Sequence, residues 1–224
     1  MDELTNMPQL TYDILGINLV FNTQTIIMTW IVMVALIIFG FLATRKAGLI
    51  PNPFQVVAEI LISILNGFTK DALGDDLAKK YSPLICCLFI FLLLCNWLGV
   101  IPKLSEPTKD LNTTLGLGIL GFIIAHYSGI KVKGFSAYIK EYFQPIFFMA
   151  PLNIIGELAK VISISFRLYG NIMGGAIIIL VVSHLVYSLI LPPFLVLFFG
   201  IFVGTIQAFV FTMLTLVYIS LQIR

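Results

Sequence analysis

The sequence predicts an all-α integral membrane protein: about five membrane helices plus one amphipathic interfacial helix, the last two membrane helices long, strongly tilted and paired as a hairpin. Three observations carry that reading. Hydrophobic residues make up 59% of the 224 residues and charged residues only 11%, against roughly 25% charged in a soluble domain. Mean hydropathy is +1.05. From Leu168 to Ile223 there is no Asp, Glu, Lys or Arg. The length fits a single membrane domain in a lipid bilayer, and a net charge of +2 is too small to argue for nucleic acid.

Residues 1–24 read as an external tail. They are polar, include Asp2, Glu3 and Asp13, contain no Lys or Arg, and lack the basic start of a cleavable signal peptide. Residues 25–45 are the first span. Its apolar run, Ile26 to Thr44, ends at Arg45 and Lys46, which the positive-inside rule assigns to the cytoplasm. Pro51 and Pro53 then break the chain. Residues 54–74 repeat apolar side chains at helical spacing, interspersed with Glu59, Asn66, Lys70 and Asp71, and are expected to lie along the cytoplasmic interface. The charged stretch Asp75 to Lys80 stays on that side.

Residues 83–131 hold two spans. Leu84 to Ile101 leads out to Pro102–Lys103, and Ser105 to Asn112 forms a polar loop with Glu106, Lys109 and Asp110. Leu115 to Ile130 then returns to Lys131, Lys133 and Lys140 on the inside. Cys86, Cys87 and Cys95 share one apolar span; their spacing does not suit zinc, and they read as packing residues.

Residues 145–223 form the tilted hairpin. Pro145 and Pro151 signal a helix start, and only glycines weaken the run from Pro151 to Leu191. Such a helix is about 62 Å long against a hydrocarbon core of about 30 Å. Pro192–Pro193 turns the chain, and Phe194 to Gln222 adds a helix of about 43 Å. With no proline beyond the first turn of either helix, tilt is expected to absorb the excess. There is no internal repeat and no low-complexity segment.

Arg167 is the only formal charge between Lys160 and Arg224. At bilayer depth an arginine costs about 2.5–3.5 kcal/mol on insertion scales, so it persists where it pairs, meets water or serves a function. The nearest acid, Glu157, lies upstream by about 15 Å of helix. A carboxylate partner is therefore expected on another chain or on a distant segment, and the sequence points to an ion-handling membrane subunit. Asn153, Lys160 and Arg167 share one helix face, with Ser163 and Asn171 flanking the arginine and Gly174 and Gly175 extending the stripe. A plain interhelical seam of serines and glycines would not need the arginine. Glu157 and Lys160 fit either a simple i,i+3 pair or an aqueous path. Gln207 is central in the last helix, near Thr205, Thr212, Thr215, Tyr218 and Ser220. A hairpin folded about Pro192–Pro193 sets Arg167 opposite Tyr218 and leaves Gln207 about eleven residues away, so this contact stays open. His126 and His184 read as satisfied histidines rather than proton relays.

The run SISFRLYGNIMGG, with the later GTIQAFVFTMLTLVYIS, DLNTTLGLG after the loop, and Lys160 before the arginine, closely resembles subunit a of F-type rotary ATP synthases. The resemblance is good from the second span onward, and the topology before it is compatible. It implies a stator, not catalytic on its own and without a cofactor, beside a ring of c subunits. Two offset aqueous half-channels would carry H+ or Na+ to and from the ring carboxylate. It implies that Arg167 faces that carboxylate between the half-channels, that Gln207 is the glutamine opposite it, and that Asn171 is the asparagine one turn along. Asp110 and Asn112 match the outer-loop pattern less specifically. Implied partners are the c-subunit ring, the peripheral-stalk b subunits and the rest of the complex. The implied location is a bacterial plasma membrane, with the N-terminus outside and the C-terminus cytoplasmic.

Relatives that move protons often carry ionisable residues at the positions of Ala176 and Gly200, so that relay is missing here. Sodium needs oxygen ligands and a wet path, and the small residues lean slightly toward it, while the family at large favours protons. Val161 replaces a proline common after the lysine. A self-contained secondary transporter is the alternative; it would bring paired broken helices and an internal repeat. A membrane enzyme binding an anionic lipid would bring more basic groups and an acid/base set around Arg167.

Overall fold

A computed structural model describes residues 9–14, 17–44, 53–101, 104–142, 150–185 and 191–223. Arg45, Lys46, Pro51, Pro102, Lys103 and Pro145 lie outside the described residues. The membrane body is helical. The tail, however, carries an antiparallel ribbon of β1 (Gln9–Ile14) and β2 (Ile17–Asn22), with Gln9 opposite Asn22 and Ile14 opposite Ile17. Its apolar and β-branched residues suit paired strands, a pattern the sequence reading did not use.

Asn22 ends the ribbon and accepts a hydrogen bond at 3.2 Å from the Gln24 amide, a cap for α1 (Thr23–Thr44). Helix α1 buries only Val32 and turns Trp30, Ile37 and Phe41 outward, as a lipid-facing span does. Helix α2 (Pro53–Leu73) starts on a proline, where the missing N–H costs nothing. It buries Ala58, Leu65 and Thr69 and is not one of the five helices long and apolar enough to cross a membrane. Gly74, at φ 80°, reverses the chain into α3 (Asp75–Trp97). The charged stretch Asp75 to Lys80 forms the opening of this helix. Asp75 and Asp76 sit in its first turn, where the helix dipole favours acids.

Short 3-10 turns at Leu98–Val100 and Pro107–Lys109 bring the chain to α4 (Leu111–Lys133), capped by Asp110, which accepts from the Asn112 amide at 3.0 Å. A short helix that the sequence reading missed, α5 (Phe135–Tyr142), follows. Then comes α6 (Ala150–Leu185), 36 residues and about 54 Å long. The chain resumes as α7 (Leu191–Leu197), runs through a π-helical segment, Phe198–Val203, and ends in α8 (Gly204–Ile223). The uninterrupted last helix expected from the sequence is therefore modified by a π segment. Pro192 and Pro193 occupy the first turn of α7 instead of making the turn between helices.

Helix α4 wedges between α6 and α8, packing against each more extensively than they pack on one another. Its small residues permit this, since Gly118, Gly121, Ala125, Ser128 and Gly129 are all buried. Helix α3 packs on the far side of α8, with α2 and α1 outside it. Leu92, Leu168, Phe211, Leu216 and Ile219 are fully buried along these seams. Two buried hydroxyls of α8 are satisfied within their own helix: Thr212 donates to the Ala208 carbonyl and Thr215 to that of Phe211. Lipid offers no substitute partner.

One end of the bundle, the loop end, holds the two 3-10 turns, and Thr25 at the start of α1 donates there to Asp110 at 3.2 Å. The other, basic end holds the close of α2 and α8 and Lys131, Lys133 and Lys140; there Ser220 donates to the Ala72 carbonyl and Tyr138 to Gln222, both at 2.8 Å.

Candidate ion-translocation site

Helix α6 has two unlike faces. Ile164, Leu168 and Ile172, one turn apart, are buried against the bundle. Ser163, Phe166, Arg167 and Gly170 lie on the exposed side. A Cβ added at Gly170 or Gly174 would meet nothing within 4 Å, so this face is open to another helix. Among the described residues no carboxylate or hydrogen-bond acceptor meets Arg167. The burial pattern turns the guanidinium away from its own chain, as the lack of a nearby acid required.

One turn beyond the arginine, Asn171 Nδ2 donates to Gln207 Oε1 at 2.7 Å. Gln207 is 3% exposed, and its Nε2 meets no acceptor among the described residues. On the other side of the arginine, Lys160 Nζ lies 2.6 Å from Glu157 Oε1 and 5.6 Å from the centre of the Tyr218 ring. These contacts correct the expected register. Lys160, not Arg167, is opposite Tyr218, and Gln207 is opposite Asn171, two helical turns from the count made about Pro192–Pro193. The reason is local: the prolines belong to the first turn of α7, so the pairing is not centred on them.

Two cavities flank the arginine. The loop-end cavity, about 350 Å³, is lined by Asn171, Ala176, Ser183, His184 and Gly200, together with Glu106 and Lys109 from the 3-10 turn. The basic-end cavity, also about 350 Å³, is lined by Asn153, Gly156, Glu157, Lys160, Leu221 and Gln222. Arg167 lines neither. It falls between Lys160 and Asn171, which are separated by about 16 Å of helix.

The loop end of α8 is pinned by a lone polar side chain. Asn96 is fully buried, donates to the Gly204 carbonyl at 2.9 Å and accepts from Thr108 at 3.0 Å. Gly200 and Gly204 allow this approach: a Cβ at 200 would lie 2.5 Å from Val100, and one at 204 would lie 3.0 Å from Asn96. The hydroxyls near Gln207 are engaged elsewhere, Thr205 by its own helix and by Trp97, Ser220 by α2. His126 Nδ1 and His184 Nδ1 each lie 3.0 Å from a carbonyl one turn back, on Phe122 and Leu180. Cys86 and Cys95 are buried and Cys87 is exposed. Glu106 and Lys109 were read from the sequence only as charges of the polar loop, and Asn96 and Ser183 were not noted; a lone asparagine in an apolar span was the available signal for Asn96.

A family profile described as ATP synthase A chain matches residues 26–220. The chain belongs to the ATP synthase subunit a family. It is 39% identical over 197 residues to an ATP synthase subunit a of Moorella thermoacetica, covering 88% of this chain and 89% of that one. It is 37% identical over 227 residues to its counterpart in Desulforamulus reducens, covering 96% and 86%. A Helicobacter pylori subunit a is 37% identical over 205 residues, covering 89% and 88%. As a member of this family the chain is a multi-pass, non-catalytic, ion-translocating stator subunit of an F-type complex. That membership sets aside the secondary transporter.

Proposed function

We propose that the two cavities are the half-channels of the translocation path, and that Arg167 separates them while facing a carboxylate on a ring of c subunits. The observation that carries this reading is the pair of cavities at opposite ends of the α6–α8 pair, with an outward-facing arginine between them that has no partner among the described residues. A fixed cation in a low-dielectric setting attracts the ring carboxylate, favours release of its ion into the exit channel and blocks a direct leak.

In this reading the Asn171–Gln207 amide pair closes the inner end of the loop-end channel. Glu157, Lys160 and Asn153 line the other channel, and Ser163 flanks the arginine on the ring side. The open glycine face of α6 receives the ring, and peripheral-stalk b subunits hold the chain against it. The loop end is outside and the basic end cytoplasmic, with the N-terminus outside and the C-terminus inside, in a bacterial plasma membrane. The lack of ionisable groups at Ala176 and Gly200 leans slightly toward sodium over protons.

Arg167→Ala in the whole complex, reconstituted in liposomes, is expected to abolish ATP-driven ion pumping while the complex still assembles. Coupled pumping by that variant would overturn the assignment. In the unmodified complex, labelled sodium uptake that survives a protonophore identifies sodium; protonophore-sensitive acidification without it identifies protons.

A further inference from the structure

Glu106 is the carboxylate that the account above leaves without a task. The loop holds two described acids with different neighbours. Asp110 is engaged by the α4 amide of Asn112 and by Thr25. Glu106 occupies the cap position of the second 3-10 turn yet makes no side-chain capping bond. Its side chain instead folds over Gly99, so closely that a Cβ there would fall 1.7 Å from Glu106 Oε1. Folded in this way, it lines the loop-end cavity whose inner end is Asn171. The carboxylate is only 12% exposed, and Oε2 lies 2.5 Å from Lys109 Nζ, itself 35% exposed. Apart from that ion pair, no hydrogen-bond donor among the described residues meets Oε2. His184 is the one titratable side chain that α6 brings to this cavity, and the π segment brings none.

A buried carboxylate at the mouth of a cavity concentrates cations there. Here a cation already occupies the position: the ammonium of Lys109, on a flexible stem and the more exposed of the pair. We propose that Glu106 is the ion-receiving site of the loop-end cavity, and that Lys109 is a tethered stand-in displaced by each arriving monovalent cation. An arriving sodium ion takes the carboxylate oxygens as ligands, or an arriving proton converts the carboxylate to its acid; in both cases the ammonium swings to solvent. The ion then moves inward past the small residues Ala176 and Gly200 toward the amide pair. This inference rests on the reading of that cavity as a half-channel.

The test uses the complete ATP synthase in liposomes, with ATP synthesis measured as sodium and pH are varied separately on the loop-end side. Glu106→Gln is expected to raise the half-saturating ion concentration about tenfold, a typical loss of local enrichment. Lys109→Gln is expected to lower it or leave it unchanged. A merely structural ion pair would make the two variants shift together, and that result, or no shift in Glu106→Gln, would overturn the proposal. Gly99→Asp combined with Glu106→Ala returns a carboxylate to the same space and should restore the original concentration dependence; failure to restore it also counts against the proposal. The sodium and pH series tell which ion is received. Arg167→Ala, run alongside, keeps the two readings separable: if it still couples, the half-channel assignment fails, whereas normal kinetics in Glu106→Gln beside an inactive Arg167→Ala sinks only this inference.

Discussion

The two cavities are alike in volume and unlike in chemistry. At the basic end an ion pair, Glu157–Lys160, lies within the helix wall and beside the Tyr218 ring. At the loop end the ion pair, Glu106–Lys109, belongs to a turn at the mouth, and the described wall inward of it offers Ala176, Gly200 and an amide pair. One cavity therefore has its ion pair on a long helix and the other has it on a short turn, with the two pairs similarly exposed. The difference teaches that cavities of similar volume can draw their charges from quite different elements. In the reading proposed above, the residues between the openings, above all Arg167, keep the two routes apart.

The contrast can be broken most severely at its boundary. Arg167→Lys retains a charge but replaces a planar, permanently charged group with a compact ammonium that can lose its proton. Coupled transport is expected to fall to less than about a tenth in reconstituted complexes, since the charge state as well as the donor geometry is compromised. Wild-type coupling in that variant would show that any cation suffices. A smaller effect is expected where the π segment packs on the loop-end wall. Gly200→Leu drives a side chain into Val100, and overpacking of this kind costs about 1–3 kcal/mol. Thermal melting of the purified membrane sector should fall, and Val100→Ala should recover much of the loss. The smallest effect belongs to the basic end. Tyr218→Leu removes the ring beside Lys160, a contact worth about 0.5–1 kcal/mol in a partly exposed setting. A double-mutant cycle with Lys160→Met should return a coupling energy of that size, and a value near zero would mean that the ring only fills space.

Much of this arrangement was legible in the sequence because it rests on local rules. The spans follow from apolar length, α2 from helical spacing in a polar-flanked segment, and the outward arginine from the absence of any nearby acid. What failed depended on where turns fall. Proline at the start of a helix and proline in the turn before it look identical in a string of letters, and the choice moved Gln207 by two turns. The β1–β2 ribbon, the short helix α5 and the π segment depend on pairing and packing that no single window reveals. Gly200 is instructive in another way. Set against relatives with an ionisable residue there, it looked like a clue to ion identity. The structure gives it a packing reason as well, because Val100 occupies the space a side chain would need.

The π segment carries a further consequence. A π turn holds its hydrogen bonds one residue further along than an α turn, which amounts to one inserted residue. Every side chain after Val203, Gln207 included, is therefore aimed about 100° away from where an unbroken α-helix would point it. Between Phe198 and Val203 the last helix can absorb a gained or lost residue by changing its winding, and so it can keep Gln207 and the buried face of α8 in phase. Lineages one residue shorter in this stretch and α-helical throughout it would be expected to present the same amide to Asn171 and to keep the same core.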